Sequence, residues 1–291
     1  MARRIGGIIP ALIAPYKGDG SIDAEAAGRL VERLLGEGVS GFYVAGSTGE
    51  CFLLSPQERK RLLEAVAEAN AGRGLLIAHV GAIATDHAIE LARHACAHGA
   101  DAVSSIPPFY YKFSLPEIKA YYRDVMAAID RPMLVYNFPA FSGVTLSREN
   151  AADLLEDPRL AGVKHTSSDF FQLERIKRSY PRLALLNGYD EMFLAGLAMG
   201  ADGAIGSTFN FMASRFVRIH KLHGEGKSAE ALAVQNAVNE MISVLIEVGV
   251  YPGVKAALRL QGLDVGFCRR PFSPLTKEQE AKLGRALEKL G

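Results

Sequence analysis

The feature that most constrains the fold is a repeat in which a short apolar segment is followed by a turn and then by a capped helix. The segments are apolar without clean alternation, which is typical of strands buried on both faces of a parallel sheet. Parallel strands need helical crossovers, so the pattern predicts an α/β protein. Eight strands are predicted, at Gly7–Ala14, Gly41–Ala45, Leu75–Val80, Ala102–Ile106, Pro132–Asn137, Ala161–Lys164, Leu183–Asn187 and Gly203–Gly206.

The number of strand–helix units favours a closed barrel over an open sheet. Eight units in about 220 residues are what a (β/α)8 TIM barrel requires. No Gly-x-Gly-x-x-Gly turn follows the first predicted strand, which argues against a dinucleotide-binding sheet. Helix starts are indicated where a capping residue precedes an apolar periodic run, at Asp23, Ser55, Ser114 and Asp169.

The last part of the chain has a different pattern. From about Ser228 onward no strand is predicted, and helices are expected at Ala229–Val248, about Val254–Leu260 and Lys277–Leu290. We therefore divide the chain into a barrel that carries the active site, residues 1–226, and a C-terminal helical extension, residues 227–291. The extension is expected to act as a cap or as an assembly surface.

Composition limits the classes of partner and compartment. The 33 basic and 32 acidic residues give a net charge of +1, which gives no support to a nucleic-acid partner. No apolar run approaches the roughly 18 residues of a membrane span, so no membrane association is predicted. Three widely spaced cysteines, Cys51, Cys96 and Cys268, indicate reduced thiols and a cytoplasmic protein.

One predicted strand delivers a lysine to its C-terminal end. The apolar run Leu160–Val163 leads directly into Lys164, and polar turn-forming residues follow. Burial disfavours the ammonium form and lowers the pKa of a lysine. A neutral amine is a nucleophile that condenses with carbonyl compounds to a Schiff base. The alternative, from this segment alone, is a lysine that merely reaches solvent at the end of a strand.

Other strand ends carry polar groups, and in a (β/α)8 barrel these ends share one face. The second ends in a Gly-Ser-Thr-Gly turn suited to a small carboxylate, and the fifth ends in a tyrosine able to relay a proton. Carboxylates follow the seventh strand and a serine hydroxyl follows the eighth. They suit a hydroxyl-rich ligand, because ionised carboxylates accept hydrogen bonds that hydroxyls can donate. Each group also has a structural alternative. The Gly-Ser-Thr-Gly segment could be an ordinary turn, the tyrosine could be a packing residue, and the carboxylates could belong to a capped helix start. Together with Lys164 these groups predict Schiff-base aldol cleavage of a 2-oxo acid; they are Ser47, Thr48, Tyr136, Asp190, Glu191 and Ser207.

Several histidines imitate functional sites. His94 and His98 have the i, i+4 spacing of metal ligands, but they lie in a predicted outer helix and no third ligand is evident at the strand ends. We therefore predict no metal site there. His79, at the end of the third strand, is interpreted as a hydrogen-bonded core residue.

The motifs resemble the N-acetylneuraminate lyase branch of the dihydrodipicolinate synthase/N-acetylneuraminate lyase superfamily. The similarity covers about residue 5 to Pro274. It is carried by the segments 46–50 (Gly-Ser-Thr-Gly-Glu), 136–143 (Tyr-Asn-Phe-Pro-Ala-Phe-Ser-Gly), 162–167 (Gly-Val-Lys-His-Thr-Ser), 188–191 (Gly-Tyr-Asp-Glu) and 206–210 (Gly-Ser-Thr-Phe-Asn).

The resemblance implies a role for each matching residue. Lys164 would form the imine with pyruvate, Tyr136 would shuttle protons at the cleaved bond, and Ser47 and Thr48 would hold the pyruvate carboxylate. Tyr110 matches a tyrosine that reaches a neighbouring subunit's site, and Tyr251 would approach the sugar from the C-terminal helices. The family implies a homotetramer without metal or organic cofactor. The sugar hydroxyls would be contacted by Thr166, Gly188, Asp190, Glu191 and Ser207.

One position separates the branches of the superfamily. Dihydrodipicolinate synthases carry an arginine two residues after the proline of the tyrosine strand, and Phe141 stands there in this chain. The predicted reaction is cleavage of N-acetylneuraminate to pyruvate and N-acetylmannosamine. The alternatives are another pyruvate-dependent enzyme on the same barrel, a 4-hydroxy-tetrahydrodipicolinate synthase or a 2-keto-3-deoxy sugar acid aldolase, and a non-catalytic 2-oxo-acid sensor.

Overall fold

A computed structural model describes residues 3–291, and its centre is a sheet of eight parallel strands. The order β1-β8-β7-β6-β5-β4-β3-β2 brings β1 and β2 to its two ends, where Ala11 and Tyr43 form a parallel bridge that closes the barrel. The predicted (β/α)8 fold is confirmed. The strands are β1 Gly7–Pro10, β2 Gly41–Val44, β3 Leu75–His79, β4 Ala102–Ser105, β5 Met133–Asn137, β6 Leu160–His165, β7 Ala184–Asn187 and β8 Gly203–Gly206.

The predicted β1 was too long, for a structural reason. The amide of Ala11 still donates to the carbonyl of Gly206 in β8, and the chain then turns away: the amide of Leu12 donates to the carbonyl of Tyr43, 2.9 Å away on the other side of the closure. The amide of Ile13 then donates to Oδ1 of Asn210 at 3.1 Å. These two bonds satisfy buried amides outside the ladder. The apolar run therefore continues to Ala14 although the strand ends at Pro10.

Twelve α-helices and two short 3₁₀ turns surround the strands in the described part of the chain. The capping predictions are confirmed: Asp23 accepts from the amide of Ala26, Ser55 and Glu58 form a capping box, and Asp169 accepts from Gln172. The 3₁₀ turns are Ser47–Gly49 and Asp190–Met192. The helices are α1 Ala24–Gly36, α2 Pro56–Asn70, α3 Thr85–Ala97, α4 Leu115–Ala127, α5 Pro139–Ser142, α6 Ala152–Leu155, α7 Phe170–Ser179, α8 Phe193–Ala198, α9 Phe209–Gly224, α10 Ser228–Val248, α11 Val250–Leu260 and α12 Lys277–Leu290.

The helices of the C-terminal extension differ from the prediction at one junction. We expected residues 249–252 to separate two helices, but α11 begins at Val250, directly after Gly249. Gly249 has a φ of 96°, which turns the chain within one residue. Pro252 then lies in the first turn of α11, where a missing N–H costs no helical hydrogen bond. The predicted boundary at residues 226 and 227 falls between α9 and α10 and remains a prediction.

Helix α10 meets the length and hydropathy criteria of a membrane span, which the sequence did not lead us to expect. It has 21 residues and contains an 18-residue window with a mean hydropathy of 1.2. Its polar residues are used within the fold: Gln235 hydrogen-bonds to both Asp190 and Leu194, and Asn239 donates to the carbonyl of Glu191. Its apolar residues Val238, Met241 and Leu245 are buried. We therefore describe α10 as a packed helix of the extension.

Candidate active site

A cavity of about 490 Å³ opens at the C-terminal ends of the strands. The barrel topology brings these ends to one face, which is where (β/α)8 enzymes place their reactive groups. Tyr110 is the one predicted site residue that does not line this cavity. The predicted residues that do line it are Ser47, Thr48, Tyr136, Phe141, Lys164, Thr166, Gly188, Asp190, Glu191, Ser207 and Tyr251.

Lys164 extends from β6 into the floor of the cavity and is only 4% exposed. Its Nζ lies 4.0 Å from the ring centroid of Tyr136 and 4.6 Å from that of Tyr43. Within residues 3–291, no acceptor lies at a distance and angle that would form a hydrogen bond with this Nζ. Burial lowers the pKa of Lys164 to about 7, and the charge of Asp190 only partly opposes that shift. A substantial fraction of the amine is therefore uncharged at neutral pH.

Tyr136 lies beside Lys164 because β5 and β6 pair in register at these two residues. Burial raises the pKa of the Tyr136 phenol, and the nearby hydroxyls of Ser47 and Thr166 act in the opposite direction. The phenol therefore keeps its proton at neutral pH and can donate it. Two hydroxyl groups next to the phenol oxygen give that proton a route within the cavity.

The turn after β2 carries the two hydroxyl residues predicted to hold a carboxylate. Ser47 and Thr48 begin a 3₁₀ turn, whose first amides have no partner within the turn. Oγ1 of Thr48 lies 2.7 Å from Oγ of Ser207, so the turns after β2 and β8 are in direct contact. Gly46 is required at the turn because a Cβ there would lie 2.5 Å from the ring of Tyr43. This arrangement leaves room for a small anion above the strand ends.

Asp190 has a structural contact that the sequence did not predict. Its Oδ2 accepts hydrogen bonds from the amide and the hydroxyl of Thr208, at 2.8 and 2.7 Å. The carboxylate therefore binds the start of α9, rather than capping its own helix. Burial raises the pKa of Asp190 to about 6, against the effect of the Thr208 hydrogen bonds. Gly206 leaves space for this carboxylate, since a Cβ there would lie 2.3 Å from Oδ1.

Thr166 provides a buried hydroxyl that lacks a protein partner. Its Oγ1 lies near the phenol of Tyr136 and lines the cavity, but it has no hydrogen bond of normal geometry within the described residues. An unsatisfied buried hydroxyl is costly, and a ligand hydroxyl would satisfy it. The opposing residue must be glycine, because a Cβ at Gly188 would lie 1.8 Å from this oxygen. The sequence match of Gly188 therefore has a steric basis.

The remaining wall is apolar, and most of it was not predicted. Phe141 stacks on Phe138 with centroids 4.2 Å apart, and Phe138 stacks in turn on Tyr136 at 5.7 Å. Burial raises the pKa of Tyr251 to about 12. The apolar stripe of α10 indicated a packed face, but not that part of it lines the cavity. The residues that sequence analysis missed are Phe138, Tyr189, Ile205, Thr208, Ile242, Leu245, Ile246, Gly249, Val250, Pro252 and Phe272.

Two further predictions concern residues outside the cavity. Tyr110 is 84% exposed and has a φ of 77°, a backbone conformation that tyrosine seldom adopts. Its predicted contact with another subunit remains a prediction. His79 is buried: its Nδ1 lies 3.0 Å from the carbonyl oxygen of Ala45, and its Nε2 accepts a hydrogen bond from the amide of Ile106 at 3.3 Å. The prediction of a hydrogen-bonded core histidine is confirmed.

Comparisons with known proteins agree with the motifs. The model of the dihydrodipicolinate synthetase family matches residues 4–290. An N-acetylneuraminate lyase of Rhizobium meliloti is 48% identical over 285 residues, which cover 98% of this chain and 95% of that protein. CdNal from Clostridium difficile, solved in complex with mannosamine, superposes with a TM-score of 0.96 at 36% identity, covering 99% of this chain and 100% of the other. For a catalytic lysine mutant of Ruminococcus gnavus sialic acid aldolase, the TM-score is 0.95 at 33% identity, covering 98% and 95%. The chain therefore belongs to the dihydrodipicolinate synthetase family.

Proposed function

We propose that this protein is a class I aldolase that cleaves N-acetylneuraminate to N-acetylmannosamine and pyruvate. The observation that carries the proposal is Lys164, a buried lysine without a protein hydrogen-bond acceptor that lies beside Tyr136 at the floor of the cavity. The similarity to N-acetylneuraminate lyases over nearly the whole chain supports this choice of substrate.

The reaction begins with an imine. The uncharged Nζ of Lys164 attacks the C2 ketone of the open-chain sugar acid, and uptake of one proton from solvent with loss of water gives the protonated imine; the final hydrolysis returns that proton. Ser47 and Thr48 hold the neighbouring carboxylate through their hydroxyls and the free amides of their turn. This contact places the ketone carbon above Nζ, so binding energy is used to orient the reacting atoms.

Cleavage follows from the charge of the imine. The protonated nitrogen withdraws the electron pair of the C3–C4 bond, which leaves an enamine on Lys164. The C4 hydroxyl loses its proton to the phenol oxygen of Tyr136 as that phenol passes its own proton to a neighbouring hydroxyl, and C4 becomes the aldehyde of N-acetylmannosamine. That hydroxyl releases a proton in turn, which is delivered to C3 of the enamine. Protonation of C3 and hydrolysis of the imine then release pyruvate and restore Lys164. Tyr136 has the high pKa that such a relay needs in its resting state.

The other end of the cavity is assigned to the sugar hydroxyls. Thr166 has the unpartnered hydroxyl, Glu191 is half-buried at the cavity wall, and Ser207 contacts Thr48. Asp190 contributes through Oδ1, since Oδ2 is held by Thr208. Phe141 gives this end no positive charge, which disfavours a second carboxylate and hence the synthase branch.

Assembly and location belong to the same proposal. A small sugar acid and pyruvate are the ligands, and a cytoplasmic homotetramer is the proposed form of the enzyme. The exposed Tyr110 and Tyr111 support a subunit contact, because large apolar rings are seldom left in water together. Sedimentation at assay concentrations should give a mass of four subunits. A fully active monomer would remove Tyr110 from any shared site.

The test of the proposed function compares two reactions in one preparation. Cleavage of N-acetylneuraminate is measured as pyruvate release, and condensation of pyruvate with aspartate semialdehyde is measured in parallel. We expect efficient cleavage and negligible condensation. Phe141→Arg should slow the cleavage because it adds a cation beside the apolar wall. Efficient condensation without cleavage would assign the chain to the synthase branch, and cleavage only of 2-keto-3-deoxy sugar acids would change the substrate. Absence of any turnover would favour the sensor.

A further inference from the structure

The outer face of the barrel brings a carboxylate beside the two histidines for which the sequence showed no third ligand. His94 and His98 lie one turn apart on α3, and Glu64 faces them from the neighbouring helix α2. Nε2 of His94 is 2.9 Å from Oε1 of Glu64, and Nε2 of His98 is 3.9 Å from the same oxygen. The three possible ligand atoms all lie within 4.8 Å of one another. None of the three residues lines the active-site cavity.

Contacts around the cluster leave Nε2 of His98 and Oε1 of Glu64 on its inner side. Nδ1 of His98 lies 2.9 Å from the backbone carbonyl of His94, and a carbonyl can only accept, so Nδ1 carries the proton of the neutral ring. Nε2 of His98 then presents its lone pair toward Glu64. Arg61 lies 3.5 Å from the other carboxylate oxygen, Oε2, which leaves Oε1 facing the imidazoles. Such outer contacts fix the tautomer and orientation of metal ligands.

A cation would connect two groups of this cluster that do not contact one another directly. The lone pair of His98 and the carboxylate of Glu64 face one another at a distance too long for a hydrogen bond. The imidazoles are stacked with centroids 4.0 Å apart, which brings both ring edges to the same side.

We propose that Glu64, His94 and His98 form a binding site for a divalent zinc ion that links α2 to α3. Two imidazole nitrogens and one carboxylate oxygen are ligands of Zn²⁺, with water in the fourth position. In a tetrahedral site with bonds of about 2.0–2.1 Å, neighbouring ligand atoms are about 3.3 Å apart. This separation lies between the 2.9 Å from Oε1 of Glu64 to Nε2 of His94 and the 3.9 Å from the same oxygen to Nε2 of His98. Ca²⁺ and Mg²⁺ are disfavoured because they require mainly oxygen ligands. The ion is structural because the cluster is remote from Lys164.

The experiment uses the full chain without a histidine tag, stripped with chelator and then titrated with zinc sulfate alone. Bound zinc is measured by equilibrium dialysis and the melting temperature by calorimetry. We expect one zinc ion per chain and a Tm increase of about 2–5 °C at saturating zinc. Turnover should be unchanged, because the ion stabilises two outer helices. Loss of turnover on stripping, restored by zinc, would overturn the structural assignment.

Three variants make the test specific. His98→Asn and Glu64→Gln each remove one ligand at a partly exposed position, and both should lose the bound zinc and the Tm increase. His87→Asn is the matched control, since it changes an exposed histidine of the same helix outside the cluster. It should bind zinc as the wild type does. Zinc retained in His98→Asn, or no stoichiometric zinc in the wild type, would overturn the proposal.

Discussion

Two buried lysines lie close to the active site, and their surroundings are opposite. Nζ of Lys255 on α11 lies 2.7 Å from Oε1 of Glu50, donates to the carbonyl of Phe267 at 3.0 Å, and rests 4.0 Å from the ring centroid of Tyr16. Nζ of Lys164 is flanked by the rings of Tyr43 and Tyr136, and within the described residues it has no hydrogen-bond acceptor. Both side chains are at most 4% exposed.

The comparison shows that burial alone does not make a lysine reactive. Burial lowers the pKa of both amines, but the adjacent carboxylate of Glu50 opposes that shift at Lys255. Lys255 is therefore an ion-pair partner, whereas Lys164 is the proposed nucleophile. Glu50 also follows the Ser47–Gly49 turn directly, so the ion pair fixes the proposed carboxylate-binding turn to the C-terminal extension.

The largest expected effect is the loss of turnover in Lys164→Met. Without a primary amine no imine forms, so the cleavage rate should fall by about 10⁵-fold or more, the scale on which loss of a covalent nucleophile is felt. Pyruvate release from N-acetylneuraminate is the measurement. Residual turnover within about 100-fold of the wild type would mean that another group performs the chemistry.

Tyr136→Phe should keep the nucleophile and lose the proton relay. We expect the cleavage rate to fall by about 10²–10⁴-fold, the usual contribution of a general acid–base group. Trapping of pyruvate by borohydride should persist at a lower rate, because Lys164 still forms the imine. Near-normal cleavage in this variant would reduce Tyr136 to a packing residue of the aromatic wall.

The two lysines should differ in the sign of their effect on stability. Lys255→Met leaves Glu50 buried without its partner, so the free energy of unfolding should fall by about 3–5 kcal/mol. Lys164→Met removes an amine whose pKa is about 7 in the fold and 10.5 when exposed, which corresponds to a gain on the order of 4 kcal/mol at pH 7.

The pH dependence of that gain provides its control. Unfolding returns the Lys164 pKa to its usual value, so the cost of burying the amine is complete below about pH 7 and declines as the pH rises to 10.5. Denaturant unfolding of both variants and the wild type at several pH values measures how this cost depends on pH. A Lys164→Met protein less stable than the wild type at pH 7 would contradict the account of Lys164.

The smallest expected effect is a shift of the pH–rate profile. In the free enzyme kcat/KM should rise as the pH increases through about 7, because only the uncharged amine of Lys164 attacks. Asp190→Asn removes a negative charge that raises the pKa of Lys164, while its amide oxygen can still accept from Thr208. The midpoint should therefore move to lower pH. An unchanged midpoint would show that Asp190 does not influence the amine.

Local patterns predicted the barrel and the proposed nucleophile, and long-range contacts escaped them. Strand runs and helix caps are encoded within a few residues, so the eight strands and the position of Lys164 followed from the sequence. The pairing of Glu50 with Lys255, the contact of Asp190 with Thr208 and the approach of Glu64 to His94 join different elements. Periodicity shows that such residues face inward or outward, but not which residues they meet.

The most direct test of the central claim maps a reduced imine. The protein is incubated with pyruvate and borohydride, digested, and its lysine-containing peptides are analysed by mass spectrometry. Borohydride reduces the imine to a stable secondary amine, so each lysine that condenses with pyruvate is marked permanently. The account predicts one modified residue, Lys164, with Lys255 unmodified. Modification of Lys255, or of another lysine instead of Lys164, would contradict the claim that an unpaired, buried amine is the nucleophile.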